Sequence, residues 1–124
     1  MKYKWFTLSE FDSPDKPGSG EMMEETVIQR LDIARDIAGF PFIITSGFRT
    51  VMHNRMLKDN GYKVSENSSH LLGYAVDIYC ENSKKRFLLI EALMDAGFTR
   101  IGIAETFIHV DSDPEKPNLV IWTY

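Results

Sequence analysis

Ser68-Ser69-His70-Leu71-Leu72-Gly73-Tyr74-Ala75-Val76-Asp77-Ile78 sets an aspartate inside an apolar alternating run, just past a glycine and seven positions after a serine-flanked histidine. The alternation from Tyr74 to Cys80 predicts a strand, with Tyr74, Val76 and Ile78 on one face and Ala75, Asp77 and Tyr79 on the other. Buried strands rarely hold a bare carboxylate, because stripping water from the charge is costly unless something pairs with it. The Leu71-Leu72-Gly73 turn allows His70 to fold back toward Asp77. A metal cation held by both side chains would supply the missing partner.

Outward from this stretch, the composition describes an ordinary compact chain. Its 124 residues suit one domain with one core, so residues 1–124 are read as a single unit. A hydrophobic content of 44% and a charged content of 26% match soluble globular proteins. The net charge of −4 argues against a duplex nucleic-acid binder, which would carry a basic face. No apolar run approaches the roughly 20 residues that span a bilayer. The beginning, Met1-Lys2-Tyr3-Lys4-Trp5-Phe6, lacks the apolar segment of a signal peptide. The single cysteine, Cys80, excludes an intrachain disulfide and a cysteine-rich zinc cluster. The expectation is a monomer made in the cytoplasm, with no membrane insertion.

The remaining elements follow from periodicity and turn residues. Trp5 to Phe11 is an aromatic opening segment expected to pack on the core, and Asp12 to Gly20 reads as a loop. Met23, Val27, Leu31, Ala34 and Ala38 predict an amphipathic helix from about Glu21 to Ala38, stopped by Gly39. Phe42–Thr45 reads as a short strand, and Thr50 caps a helix running to about Asn60. Ser83 is expected to cap a helix through Ala96 whose buried stripe is Phe87, Ile90 and Met94. Arg100–Ala104, Phe107–Asp111 and Leu119–Trp122 read as strands with short connections. Helices early and strands late favour an α+β fold with a mainly antiparallel sheet and about three helices.

Three side chains in this layout are candidate metal ligands: His70, Asp77 and His109. His109 lies between Ile108 and Val110 on a strand and points away from them. Two histidines and one carboxylate with a fourth position open match a catalytic zinc site, not a closed structural one. His53, on the second helix, reads as a surface residue.

Ser46-Gly47-Phe48-Arg49-Thr50, Asn54, the stretch from Ser68 to Ile78, and Phe107-Ile108-His109-Val110-Asp111 together resemble the M15 family of zinc peptidases. Within that family they are most similar to the small D-Ala-D-Ala carboxypeptidase-like and phage-lysin branch, whose scaffold the hedgehog signalling domain shares. The ordered pattern S-G-[YF]-R-[ST], S-x-H-x-x-G-x-A-x-D, then apolar-H-x-[DE], spans about residues 5 to 122. The resemblance implies one zinc per chain on His70, Asp77 and His109. It implies that Arg49 stabilises the charge developing on the scissile carbonyl oxygen, a task suited to a permanently charged planar fork. It also assigns substrate-binding roles to Ser68, Arg49 and Asn54.

One element of the family pattern is missing. Many relatives place a catalytic Asp or Glu three residues before the last histidine, where this chain has Thr106. Glu105, one residue earlier, and Asp111, two residues after His109, are the two candidates for the general base. Asp111 has the alternative role of orienting its neighbouring histidine. The implied activity is zinc-dependent hydrolysis in peptidoglycan stem peptides or cross-bridges, as a carboxypeptidase or an endopeptidase. A phage lysis enzyme, released to the cell wall by a separate lysis protein, suits a chain read as having no signal peptide.

The Thr106 departure supports a second reading, a zinc-binding recognition module that does not cut. Two histidines and a carboxylate also describe the facial triad of non-haem iron oxygenases, but no histidine follows His109-Val110-Asp111 to complete it. If the metal reading holds, purified protein carries close to one zinc per chain by elemental analysis, and His70→Ala loses it. Equal metal content in the two proteins would remove the basis of the site.

Overall fold

The computed structural model describes residues 2–124, and Met1 lies outside the described residues. The alternating run around Asp77 forms strand β2 (Ala75–Tyr79), placed between two other strands in one five-stranded sheet. In chain order the elements are α1 (Glu25–Ala38), β1 (Ile44–Ser46), α2 (Val51–Asp59), β2, α3 (Ser83–Asp95), β3 (Arg100–Ile103), β4 (Phe107–Asp111) and β5 (Val120–Thr123). Short 3-10 turns sit at Leu8–Phe11, Ser19–Met22 and Ser69–Leu72. The strand order is β1-β2-β4-β3-β5, and every pairing is antiparallel except β3 with β5. Three α-helices on a mostly antiparallel sheet make this the expected α+β fold.

The pleat divides the sheet into two chemically different faces. Val76, Ile78, Ile101, Ile108 and Val110 are buried and share one core with Val27, Ile28 and Leu31 of α1 and Leu89 and Leu93 of α3. On the other face, register places Asp77 opposite His109, His109 opposite Gly102, and Gly102 beside Trp122. One row across the strands therefore brings both ligand-bearing strands and an aromatic side chain together. The opening segment seals one end of the core through Phe6 and Phe11, a tilted ring pair with centroids 5.5 Å apart.

Three expectations shift. The first helix begins at Glu25 instead of Glu21, because the Glu24 N–H is drawn to the Gly73 carbonyl at 2.9 Å and Met23 is extended and buried beside that turn. The first strand pairs over Ile44–Ser46, while Phe42 enters the core through its side chain. The cap of α3 is Asn82, whose Oδ1 accepts the Lys85 N–H at 3.0 Å.

The larger correction concerns the buried face of α3. Leu89, Ala92 and Leu93 are buried, whereas Phe87 is 68% exposed and Met94 52% exposed. Apolar residues at 87–90 and 92–94 surround most of the helix, so its period alone selects no face. Packing against α1 and the sheet makes the choice. Leu89→Ala is accordingly expected to cost about 2–5 kcal/mol in denaturant unfolding. Phe87→Ala should stay within about 0.5 kcal/mol of the parent. The reverse order would restore the stripe read from periodicity.

Candidate metal centre

His70 is delivered by the 3-10 turn Ser69–Leu72, where the Ser68 hydroxyl accepts the His70 N–H at 3.3 Å. Gly73 ends the turn at φ 79°, and a Cβ there would lie 2.2 Å from the Met22 carbonyl oxygen, so only glycine fits. The Ser46–Thr50 loop locks onto this turn from the side. The Arg49 N–H donates to the His70 carbonyl at 3.1 Å, and the His70 Nδ1 donates to the Gly47 carbonyl at 2.7 Å. Gly47 meets Phe11 so closely that a Cβ would lie 2.7 Å from its Cα.

These contacts decide where the imidazole lone pairs point. A carbonyl can only accept, so His70 carries its proton on Nδ1 and presents Nε2, 3.3 Å from Asp77 Oδ1. His109 Nε2 donates to Asp111 Oδ2 at 2.7 Å, which leaves Nδ1 facing the same Asp77 Oδ1 at 3.0 Å. The three candidate donor atoms lie within 4.8 Å of one another, and all three residues are buried. Two nitrogen lone pairs and an anionic oxygen converging in a buried site repel one another unless a cation or proton lies between them. The donor set of two imidazoles and a carboxylate fits zinc.

Electrostatics agree with that convergence. Burial pushes His70 below its ordinary value despite the pull of Asp77, so its ring is neutral and available as a ligand. Burial alone would raise Asp77, but the two histidines that face it, with His109 carrying the proton, hold its carboxyl well below the usual carboxylate range. For His109 burial works downward, and the hydrogen bonds to Asp111 and Asp77 overcome it, raising the ring above its ordinary value. Without metal, a proton on His109 does part of the work that a cation would do.

The neighbouring residues fall into distinct positions. Asp111 is 1% exposed, and its Oδ1 accepts Arg100 Nε at 2.7 Å and the Asp113 N–H at 3.1 Å. Both of its oxygens are thus engaged, one of them on His109. Arg49 is buried at the rim, with Nε and Nη2 donating to Ser46 Oγ at 3.3 and 3.1 Å and Nη1 to Asn54 Oδ1 at 3.1 Å. Its Nη2 stands 3.6 Å from Asp77 Oδ2. A cleft of about 440 Å³ opens over the cluster, with Arg49, Ser68, Phe107, Trp122 and Tyr124 among its walls.

Two candidate residues lie apart from the cleft. Asn54 is absent from its walls, because Oδ1 holds Arg49 and Nδ2 donates to the Ser65 carbonyl at 2.9 Å. It supports the arginine from behind. Glu105 sits exposed in the β3–β4 turn with its side chain outside the cleft. His53 is half-buried on α2 and belongs to no ligand cluster among the described residues. Sequence reading missed Ser46, whose motif position was the available signal. It also missed Trp122, whose indole lies over Gly102 and 5.4 Å from the His109 ring.

The fold is an α+β sheet whose non-core face carries a buried His-Asp-His cluster with the geometry to hold a metal ion. A family model described as Peptidase M15 matches residues 6–111, and the chain belongs to that family. M15 peptidases are zinc-dependent, and the His70-Asp77-His109 cluster is compatible with that activity. No curated protein matches the chain. No helix among the described residues is long and apolar enough to cross a membrane.

A metal entering this site must displace the His109 proton. Zinc uptake measured in weakly buffered solution is expected to release protons, with apparent affinity rising as pH climbs above 6.5, the ordinary histidine value. The sign for the metal-free protein is opposite. A raised folded-state pKa contributes stability that is present below 6.5 and is lost as pH rises through the raised value. Thermal unfolding in chelator at several pH values checks this. PH-independent zinc affinity would contradict the assigned proton.

Proposed function

We propose that the chain is a zinc-dependent peptidase acting on peptidoglycan stem peptides or cross-bridges. The observation that carries this reading is the aiming of His70 Nε2 and His109 Nδ1 at one oxygen of Asp77, beneath a cleft with an arginine at its rim. His70, Asp77 and His109 would hold the zinc, which when bound supplies Lewis acidity toward the scissile carbonyl.

The other residues then take definite parts. Arg49, fixed by Ser46 and Asn54, presents permanent charge where the carbonyl oxygen becomes an oxyanion. Lysine could not reproduce that braced fork, so Arg49→Lys should lower kcat by about 10²–10³. Asp111 orients His109 and keeps its Nδ1 lone pair turned inward. Ser68 shapes the floor where the His70 turn begins. Glu105 is the proton acceptor in this reading. Of Asp77, Asp111 and Glu105, it alone makes no side-chain hydrogen bond or ion pair among the described residues. Catalytic distances are set in the substrate complex and not in the free protein.

The substrate assignment is supported by the S-G-F-R, S-x-H and H-x-D blocks, which resemble those of the wall-degrading branch of the family. The proposed setting is a monomeric phage lysis enzyme that reaches the wall through a separate lysis protein. A second reading, zinc-dependent recognition without cleavage, is favoured by Thr106 and by the position of Glu105 outside the cleft.

Incubating purified peptidoglycan with the protein separates the two. Hydrolysis predicts release of D-alanine or stem peptide that stops with chelator and returns with added zinc. Glu105→Gln should abolish release while keeping the metal, whereas Asp111→Asn should weaken metal binding about 10–100-fold. Chelator-sensitive binding to the wall without any release would favour the recognition module.

A further inference from the structure

The sheet register sets His109 against Asp77, but it does not place His70, which sits on a turn outside the sheet. Something must hold that turn against the far end of β4. Two buried side chains separated by 44 residues make such a link: Ser69 Oγ donates to Asp113 Oδ2 at 2.7 Å. Ser69 is the residue immediately before His70, and it is not among the residues that the family pattern specifies.

The surrounding contacts give this link a direction. The Asp113 N–H donates to Asp111 Oδ1 at 3.1 Å, and Asp111 in turn orients His109. Asp113 Oδ1 accepts the Glu115 N–H at 3.0 Å, which folds the loop after β4 back on itself. Lys116, on that loop, donates to Ser69 Oγ at 2.8 Å and to the Asn67 carbonyl at 3.0 Å. Its Nζ stands 3.8 Å from Asp113 Oδ2 and offsets the buried charge there. One loop therefore grips the histidine turn at Ser69 and the orienting carboxylate of the other histidine at Asp111.

We infer that Ser69 and Asp113 are positioning residues that set the separation of the His70 and His109 donor atoms, with Lys116 clamping the pair from outside. The inference rests on the His70-Asp77-His109 site described above. Loss of the Ser69–Asp113 bond frees the turn to drift relative to β4. Outer contacts of this type typically alter metal affinity about 10–100-fold.

Cobalt(II) titration of the chelator-stripped full-length protein tests this through its visible absorption bands, independently of peptidase activity. Ser69→Ala and Asp113→Asn are expected to weaken cobalt affinity about 10–100-fold and to change the band shape. Ser69→Thr, which keeps the hydroxyl, should return both toward the parent. Thermal unfolding of the same proteins without metal separates positioning from plain stability, and far-UV circular dichroism verifies folding. Parent-like cobalt affinity in folded Ser69→Ala and Asp113→Asn would overturn the inference, including where their metal-free stability is reduced. A parent protein that binds no cobalt would overturn the site reading beneath it, so the two failures are distinguishable. If Asp113→Asn does not fold, the Ala and Thr variants at Ser69 still decide the matter.

Discussion

One oxygen of Asp77 faces a ring nitrogen of His70 at 3.3 Å and a ring nitrogen of His109 at 3.0 Å, in a site closed to most solvent. An ionised carboxylate in that position has lost much of its hydration, so it needs positive charge close by. Much of the architecture serves this arrangement. The β2–β4 register puts His109 opposite Asp77, and a slip of one residue would turn His109 into the apolar core. Gly73 closes the turn that returns His70, and the Gly47 carbonyl fixes which nitrogen of that ring faces inward.

The fold resolves a conflict between stability and chemistry by using opposite faces of one sheet. Val76, Ile78, Ile108 and Val110 are packed against helices and bury apolar surface on one side. Their sequence neighbours Asp77, His109 and Asp111 occupy the other side, where charges and hydrogen bonds can be matched. Because side chains alternate along a strand, the same residues that anchor the core also aim the ligands. Arg49 is held in the same spirit. Ser46 and Asn54 take up hydrogen bonds of its fork and fix it at the cleft wall, where it also pairs with Asp77 at 3.6 Å.

Particular residues show how far sequence reading reached. The β2 and β4 alternations were plain because each strand gives one face to aliphatic core residues and the other to polar or small ones, and the Gly39 stop was marked by its residue type. The face of α3 was not legible, since a helix apolar on most sides carries no preferred stripe until its neighbours are present. Asn54 read as a cleft residue because its motif position is near Arg49, yet its amide is used up behind the arginine. Asp111 read equally well as a base or as an orienting partner. Strand periodicity gave its face but not the bonds to Arg100 and Asp113 that occupy it.

What the sequence by itself determined was the choice of donors and the strand alternation that sets Asp77 and His109 on a common face. Those features are local: a side chain's chemistry travels with its residue, and a period of two needs no partner strand to be visible. Only the tertiary structure decided how the donors are used. The tautomers of His70 and His109 depend on the Gly47 carbonyl and the Asp111 carboxylate, 23 positions away in one case and two in the other. The link from Ser69 to Asp113 crosses 44 residues. Proton placement and donor spacing arise from such contacts because hydrogen bonds are set by distance in space, which no local pattern encodes.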